Sequence, residues 1–132
     1  MPRVLYSEPH VLVVDADQGA RSAVEQALRE EGARVTRCAG AADALKQVSS
    51  RRFDAVIVDY ALPGLGGIVA VAQMRGLGNG RDLPAIVLGA LEGAARDAAL
   101  ARTERISQAV FLDKPATAES LISALHVLLG LS

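Results

Sequence analysis

Residues 53 to 67 read FDAVIVDYALPGLGG, and this stretch decides how the rest of the chain is interpreted. Ala55 to Val58 form a short, uniformly apolar run that is rich in β-branched residues. Such a run, bounded by turn residues, is typical of a central parallel strand that is covered on both faces. The run ends at Asp59, and Pro63 with the glycines at 64, 66 and 67 predicts a tight loop directly after it. Ligands bind at this carboxyl edge in open α/β sheets, so Asp59 is the first candidate functional residue.

Predicted strands and helices alternate along the chain on either side of this stretch. The strands are predicted at 10–14, 33–38, 55–58, 84–88 and 109–112, and each is followed by apolar residues at helical spacing. Right-handed crossovers between successive strands then give an α/β fold, a flavodoxin-like, doubly wound, five-stranded parallel sheet in the order 2-1-3-4-5. Five helices are expected on its two faces. The glycine-rich segment 76–80 is predicted to be a flexible loop.

This topology brings three charged residues to one edge of the sheet. Asp15 follows the first strand and Asp59 the third, and the carboxyl ends of these strands are neighbours where the strand order reverses. Lys114 follows the fifth strand on the same rim. Two carboxylates about 4 Å apart repel by ~4 kcal/mol at an effective dielectric of about 20, so a cation is expected between them. Carboxylate oxygens suit Mg²⁺, and an aspartate can also act as a nucleophile toward phosphorus, with Lys114 neutralising the phosphoryl oxygens.

The bulk composition excludes several classes of protein. The chain has 132 residues, which is enough for one domain, and 51% of them are hydrophobic. The formal net charge is −1, from 14 basic and 15 acidic residues without a block of like charge, so neither nucleic acid nor a membrane surface is expected as a partner. The N-terminus lacks the pattern of a signal peptide and no apolar run reaches membrane-spanning length, so a cytoplasmic protein is expected. Cys38, the single cysteine, is expected to be a small buried residue.

Four sequence blocks resemble the receiver domain of two-component response regulators, over essentially residues 10 to 130. They are VLVVDAD at 11–17, FDAVIVD with the loop LPGLGG at 53–67, PAIVLGA at 84–90 and QAVFLDKP at 108–115. The resemblance implies a receiver domain at 10–130, preceded by an N-terminal extension at 1–9. It also implies a phosphorelay function in signal transduction, with a histidine kinase or a phosphotransfer protein as partner, and no turnover of a substrate.

The resemblance assigns a role to five positions of this sequence. Asp59 would be the phosphoryl acceptor, and Asp15 an acidic residue of the Mg²⁺ pocket. The backbone carbonyl of Ala61 would be a further metal ligand, and Lys114 would pair with the phosphoryl group. Phe111 would be the aromatic residue of the output face, which the last two helices form. That face is expected to bind an output protein, or a second copy of the chain in a homodimer.

Two positions depart from the pattern of the family. The second acid of the opening block, a direct metal ligand in the family, is Ala16 here. The loss of outer-shell partners alone lowers metal affinity roughly 10–100-fold, so we expect the Mg²⁺ site to be weak or absent. The switch hydroxyl of the family is replaced by Gly89, which has no group to reach a phosphoryl oxygen and pull on the aromatic residue. Asp17 is interpreted as a helix cap. The chain is therefore predicted to be an atypical receiver.

Two alternatives to a phosphorylated receiver remain open at this stage. The first is a pseudo-receiver that binds a protein partner without being phosphorylated. The second is a phosphatase that resembles the haloacid-dehalogenase type, in which Asp15 of the Asp15-Ala16-Asp17 block is the nucleophile. That reading is weaker, because Gly89 stands where such an enzyme has Thr or Ser, and because the chain is short for that family. A flavin-binding protein is disfavoured, since the acidic loop after the first strand repels phosphate.

Overall fold

The structure is a computed structural model, and it describes residues 8 to 130. The strands are β1 (His10–Val14), β2 (Arg34–Cys38), β3 (Ala55–Asp59), β4 (Ala85–Gly89) and β5 (Ala109–Asp113), and the helices are α1 (Gln18–Glu30), α2 (Ala41–Ser50), α3 (Gly67–Arg75), α4 (Gly93–Glu104) and α5 (Ala118–Leu128). All neighbouring strands pair in parallel, in the order β2-β1-β3-β4-β5. The predicted fold is therefore confirmed. Residues 1 to 7 of the predicted N-terminal extension lie outside the described residues.

The glycine-rich segments differ in detail from their prediction. Gly67, which was expected in the loop after β3, is the first residue of α3. The segment predicted as a flexible loop contains a 3-10 turn at Gly78–Gly80. Gly80 is buried there, and a side chain at this position would overlap the backbone carbonyl of Met74. Both glycines thus allow a close approach of two backbone segments, which the sequence pattern does not distinguish from an open loop.

Successive residues of the central strands point to opposite faces of the sheet, and each face has its own core. On one face, Val11, Val13 and Ile57 pack with the apolar residues of α1 and α5. On the other face, Leu12, Val14, Val56 and Val58 pack with those of α2 and α3. The second core includes Cys38, which is 5% exposed, as predicted, and Met74, which is 0% exposed. Because helices cover both faces of the sheet, solvent-accessible functional groups can lie only at its edges.

Hydrogen bonds at the start of α1 and at the end of β1 fix the position of the loop between them. The side chain of Asp17 accepts a hydrogen bond from the Gly19 amide at 3.1 Å, which confirms the predicted helix cap. The backbone amide of Asp15 donates to the carbonyl of Cys38 at 3.1 Å, so the loop stays attached to the sheet beyond the last residue of β1. The carboxylate of Asp15 is thereby held at the edge of the sheet where β1 and β3 end.

The described helices are short compared with the thickness of a membrane. The longest, α1, has 13 residues, whereas about 20 apolar residues are needed to span a bilayer. Within residues 8 to 130, no helix is long and apolar enough to cross a membrane.

Candidate functional site

Asp15, Asp59 and Lys114 lie together at the carboxyl edge of the sheet, at the ends of β1, β3 and β5. Lys114 Nζ lies 2.7 Å from Asp15 Oδ2 and 3.3 Å from Asp59 Oδ1. The three side chains are only 5%, 14% and 19% exposed for Asp15, Asp59 and Lys114. The ammonium group therefore bridges two carboxylates that would otherwise repel each other in a partly desolvated site.

Both carboxylate oxygens of Asp15 have a partner. Oδ2 accepts from Lys114, and Oδ1 accepts from the backbone amide of Asp17 at 2.9 Å. The backbone carbonyl of Asp15 accepts a hydrogen bond from Arg21 Nη1 at 2.7 Å. The sequence analysis missed Arg21. It stands in the first turn of α1, four residues after the helix cap, and side chains on a helix lean toward its N-terminus, which brings the guanidinium back to the strand end. This spacing is the signal that identifies it.

Asp59 has one engaged and one free carboxylate oxygen. Oδ1 accepts from the backbone amide of Ala61 at 3.1 Å and faces Lys114. Among residues 8 to 130, Oδ2 has no hydrogen-bond partner. The backbone around Asp59 is fixed, since the Tyr60 amide donates to Leu88 and the Gly67 amide donates to the Tyr60 carbonyl. A nucleophile toward phosphorus requires an accessible carboxylate oxygen, and the partly exposed Oδ2 on this fixed strand end is such a group.

The environment of Lys114 keeps its side chain protonated. Burial is the largest single influence on its pKa and lowers it, but the hydrogen bond to Asp15 and the charges of Asp59 and Asp15 outweigh burial. The pKa of Lys114 is therefore raised above its ordinary value. The site therefore keeps a protonated ammonium group beside its two acidic side chains.

The raised pKa of Lys114 predicts a loss of stability in alkaline solution. A folded-state pKa above the unfolded value gives stability that is complete below the unfolded pKa of about 10.4 and is lost as the pH rises through the folded-state pKa. The chain has one other lysine, the exposed Lys46, which provides a matched control. We expect the free energy of unfolding, measured by urea denaturation, to fall above about pH 10.4 in the wild type and in Lys46→Met. In Lys114→Met this fall should be smaller, and an equal fall would contradict the bridging role of Lys114.

The donor set of the site fits Mg²⁺, although with few ligands. Mg²⁺ in proteins is held by one or two carboxylates and completes its shell with water and phosphate oxygens. Asp15 and Asp59 are therefore ligands of the right chemical type. Among the described residues, no group of three or more Asp, Glu, His or Cys side chains is placed to hold a metal ion. Ala16 is exposed at the mouth of the site and adds no ligand, and Lys114 already occupies Asp15. A divalent ion would therefore compete with the ammonium group for the oxygens of Asp15.

A second ion pair lies beside Lys114 at the same edge of the sheet. Arg96 of α4 binds the carboxylate of Asp113 with two hydrogen bonds, Nε to Oδ1 at 2.7 Å and Nη2 to Oδ2 at 2.9 Å. The hydrogen bond from Arg96 holds the pKa of Asp113 below its usual range. The pair ties α4 to the end of β5. Sequence analysis did not identify it, because the two residues are 17 positions apart and belong to different elements.

Comparison with known proteins gives the same family for the sequence as a whole and for its individual relatives. A family model described as the response regulator receiver domain matches residues 11–126. Among curated proteins, the response regulator MprA of Mycobacterium tuberculosis is 32% identical over 121 residues, which cover 90% of this chain and 50% of MprA. The transcriptional regulatory protein PrrA of Mycobacterium leprae is 37% identical over 84 residues, which cover 64% of this chain and 35% of PrrA. The chain thus spans half or less of the length of these two relatives.

Solved structures agree with the sequence matches. A putative response regulator from Chloroflexus aurantiacus has a TM-score of 0.82 at 27% identity, with 92% of this chain and 98% of that chain covered. The receiver domain of the sensor histidine kinase PA1611 from Pseudomonas aeruginosa has a TM-score of 0.78 at 29% identity, with 92% and 98% covered. That structure contains a magnesium ion coordinated in its active-site cleft.

Proposed function

This chain belongs to the response regulator receiver domain family, and from that premise we propose that Asp59 accepts a phosphoryl group from a histidine kinase or a phosphotransfer protein. The observation that carries the proposal is the free Asp59 Oδ2, which lies on the same carboxylate that Lys114 approaches to 3.3 Å. Lys114 supplies a fixed positive charge beside the oxygen that attacks. No other carboxylate at this edge combines an ionised, unbonded oxygen with a neighbouring ammonium group among the described residues.

The proposed step is a single displacement at phosphorus. Asp59 Oδ2 forms a bond to the phosphorus atom, and the bond from phosphorus to the histidine nitrogen of the partner breaks. The electron pair of that bond stays on the imidazole, which is protonated from solvent. Asp59 then carries an acyl phosphate, and Lys114 pairs with the negative oxygens that the phosphoryl group brings. Hydrolysis returns the carboxylate, so the chain acts as an acceptor and does not turn over a free substrate.

Mg²⁺ has a reduced role in this proposal. Asp15 and Asp59 are the side chains that would hold the ion, together with the carbonyl of Ala61. When bound, it would add positive charge next to the phosphoryl oxygens. Binding is proposed to be weak, because Ala16 offers no ligand and because Lys114 holds Asp15 Oδ2 at 2.7 Å. The Arg21 hydrogen bond and the Asp17 amide keep Asp15 in place without an ion.

A groove beside the site supports the proposed partner. It has a volume of about 300 Å³ and is lined by small apolar residues of α1 and of the segment after β5. Its lining includes Ala20, Ala23, Pro115 and Ala116, and it reaches Lys114. A helix of a kinase or a phosphotransfer protein, with its histidine directed at Asp59, fits a groove of this chemistry and position. An output protein is proposed to bind the separate surface formed by α4, β5 and α5.

A second candidate function is an interaction module that is never phosphorylated. Two observations favour it: the exposed Ala16 in place of an acid, and Gly89, whose missing side chain leaves space for Phe111. Such a module would keep the receiver fold and bind its partner through a surface that does not respond to Asp59.

Labelling with an acyl phosphate separates the two functions. We expect the wild type, incubated with acetyl phosphate and millimolar Mg²⁺, to gain the mass of one phosphoryl group in intact-protein mass spectrometry. No mass gain under these conditions would exclude the acceptor function and leave the interaction module.

Restoring the missing acid should strengthen the metal site. We expect Ala16→Asp to lower the Mg²⁺ concentration required for half-maximal labelling by at least about 10-fold. The reason is that outer-shell partners change metal affinity roughly 10–100-fold, and a direct ligand should change it at least as much. Mg²⁺ binding itself is measured from the amide NMR signals of Tyr60 and Ala61. Ala42→Asp, on the exposed side of α2, is the matched control and should bind Mg²⁺ like the wild type. Equal affinity of Ala16→Asp and the wild type would contradict the assignment of Ala16 as the missing ligand position.

A further inference from the structure

Gly89, at the end of β4, lies against the ring of Phe111. A methyl group at position 89 would lie 2.8 Å from Phe111 Cζ and 2.9 Å from Cε2. It would also lie 3.5 Å from Tyr60 Cβ. Carbon atoms that are not bonded approach each other to about 3.5–4.0 Å, so the ring of Phe111 occupies space that any other residue at position 89 would require.

The ring of Phe111 is also held from the side of α4. The ring of Tyr60 meets it edge-on, with the ring centres 6.4 Å apart and an angle of 79° between the planes. This is a favoured geometry for aromatic pairs. Arg102 of α4 donates a hydrogen bond from Nη1 to the Tyr60 hydroxyl at 2.9 Å, and its guanidinium carbon lies 5.6 Å from the centre of the Tyr60 ring. Gly89, Phe111, Tyr60 and Arg102 thus form a continuous stack, which we call the aromatic clamp.

We propose that the aromatic clamp holds Phe111 in one inward position whatever the chemical state of Asp59, so that the lack of a side chain at residue 89, and not the state of Asp59, determines where this ring lies. A change at Asp59 shifts the position of Phe111 only if it interacts differently with the two positions. Gly89 has no side chain with which a phosphoryl oxygen could interact, so that route is absent. Phe111 is half-buried on the edge strand β5, so a side chain at residue 89 would displace its ring toward solvent. The inference rests on the proposed function only in taking Asp59 as the group whose state changes.

The test uses the fact that the chain has two phenylalanines, Phe53 and Phe111. Phenylalanine labelled with ¹³C at Cζ gives one NMR signal from each, and Phe53, which stacks near His10 before β3, is the internal reference. In the wild type we expect a nuclear Overhauser effect between the Phe111 Hζ proton and the Gly89 Hα protons. Its intensity and the chemical shift of the Phe111 signal should be the same in Asp59→Asn, and the same after acetyl phosphate and Mg²⁺ are added.

Gly89→Ala should displace the ring. We expect the Phe111 signal to shift and its Overhauser effect to residue 89 to disappear, while the Phe53 signal stays in place. Gly78→Ala is the matched control, because a methyl group there has nothing within 4 Å, and both signals should remain. An unchanged Phe111 signal in Gly89→Ala would overturn the proposal, as would a shift between the wild type and Asp59→Asn. Neither comparison needs a phosphoryl group. Failure of the acceptor function, which would appear as a missing mass gain, is therefore distinguishable from failure of this proposal.

Discussion

Asp59→Asn is expected to abolish phosphoryl labelling of this chain by acetyl phosphate. The amide of asparagine has nearly the shape of the carboxylate, so the variant should keep the fold and the hydrogen bond from the Ala61 amide. It lacks the ionised oxygen that forms the bond to phosphorus, and no rate remains for a displacement without its nucleophile. The measurement is the time course of the intact mass at fixed donor and Mg²⁺ concentrations.

Two further variants make this result specific. Asp15→Asn should still be labelled, at a lower rate, because Asp15 positions Lys114 and does not attack phosphorus in our proposal. The phosphatase alternative predicts the reverse, since Asp15 is its nucleophile. Asp17→Asn keeps a side chain that caps α1 and should be labelled like the wild type. Labelling of Asp59→Asn at the wild-type rate would contradict the assignment of Asp59.

Gly67→Ala is expected to destabilise the protein strongly and to distort the acceptor loop. A methyl group at residue 67 would overlap the backbone carbonyl oxygen of Asp59 and would lie 3.1 Å from Tyr60 Cα. The obstructing atoms belong to the backbone at the end of β3, which is held by the hydrogen bond from the Tyr60 amide to Leu88. Overpacking costs about 1–3 kcal/mol and occasionally more, and the rigid surroundings place this variant at the upper end. Urea denaturation measures the loss in the free energy of unfolding.

Gly78→Ala is the control for this prediction. A methyl group at residue 78 meets nothing within 4 Å, so its effect should stay within about 0.5 kcal/mol. If Gly67→Ala were as stable as Gly78→Ala, the close approach of α3 to the end of β3 would be wrong. The labelling rate of Gly67→Ala should also fall, because the displaced backbone carries Asp59.

The convergence of the site was predictable from periodicity and topology. The apolar runs before Asp15 and Asp59 are short and β-branched, and in a sheet of order 2-1-3-4-5 such strands must be neighbours. Lys114 follows the last strand and reaches the same rim. The structure places its Nζ within 3.3 Å of both acids. The ends of β1, β3 and β5 could be located because each apolar run stops at an aspartate.

Contacts between side chains of different elements were not predictable. The Arg102–Tyr60 and Arg96–Asp113 pairs join residues 42 and 17 positions apart, and each depends on how α4 is oriented against β5. Periodicity sets which face of a helix is buried but not its rotation to within one side chain. The apolar residues of α4 form only a weak stripe, so the sequence does not determine the orientation of this helix. The fit of Phe111 against Gly89 depends on distances of a few tenths of an ångström, which no sequence pattern contains.

In our proposal, the two departures from the family pattern act on separate parts of the domain. Ala16 is exposed next to Asp15 and is proposed to weaken the metal site, whereas Gly89 lies against Phe111 and is proposed to determine the position of its ring. Neither removes Asp59 or Lys114. We therefore expect phosphoryl acceptance and the position of Phe111 to be uncoupled in this domain. Ala16→Asp should change the Mg²⁺ dependence of labelling only, and Gly89→Ala the position of Phe111 only.

The position of the phosphoryl group on the labelled protein decides whether Asp59 is the acceptor. Borohydride reduces an acyl phosphate to an alcohol, so the acceptor aspartate of the labelled protein is converted to homoserine and is identified by peptide mass spectrometry. We expect homoserine at position 59 and at no other acid. Conversion at position 15 instead, or no conversion in a protein incubated with donor and Mg²⁺, would contradict the assignment of Asp59 as the acceptor.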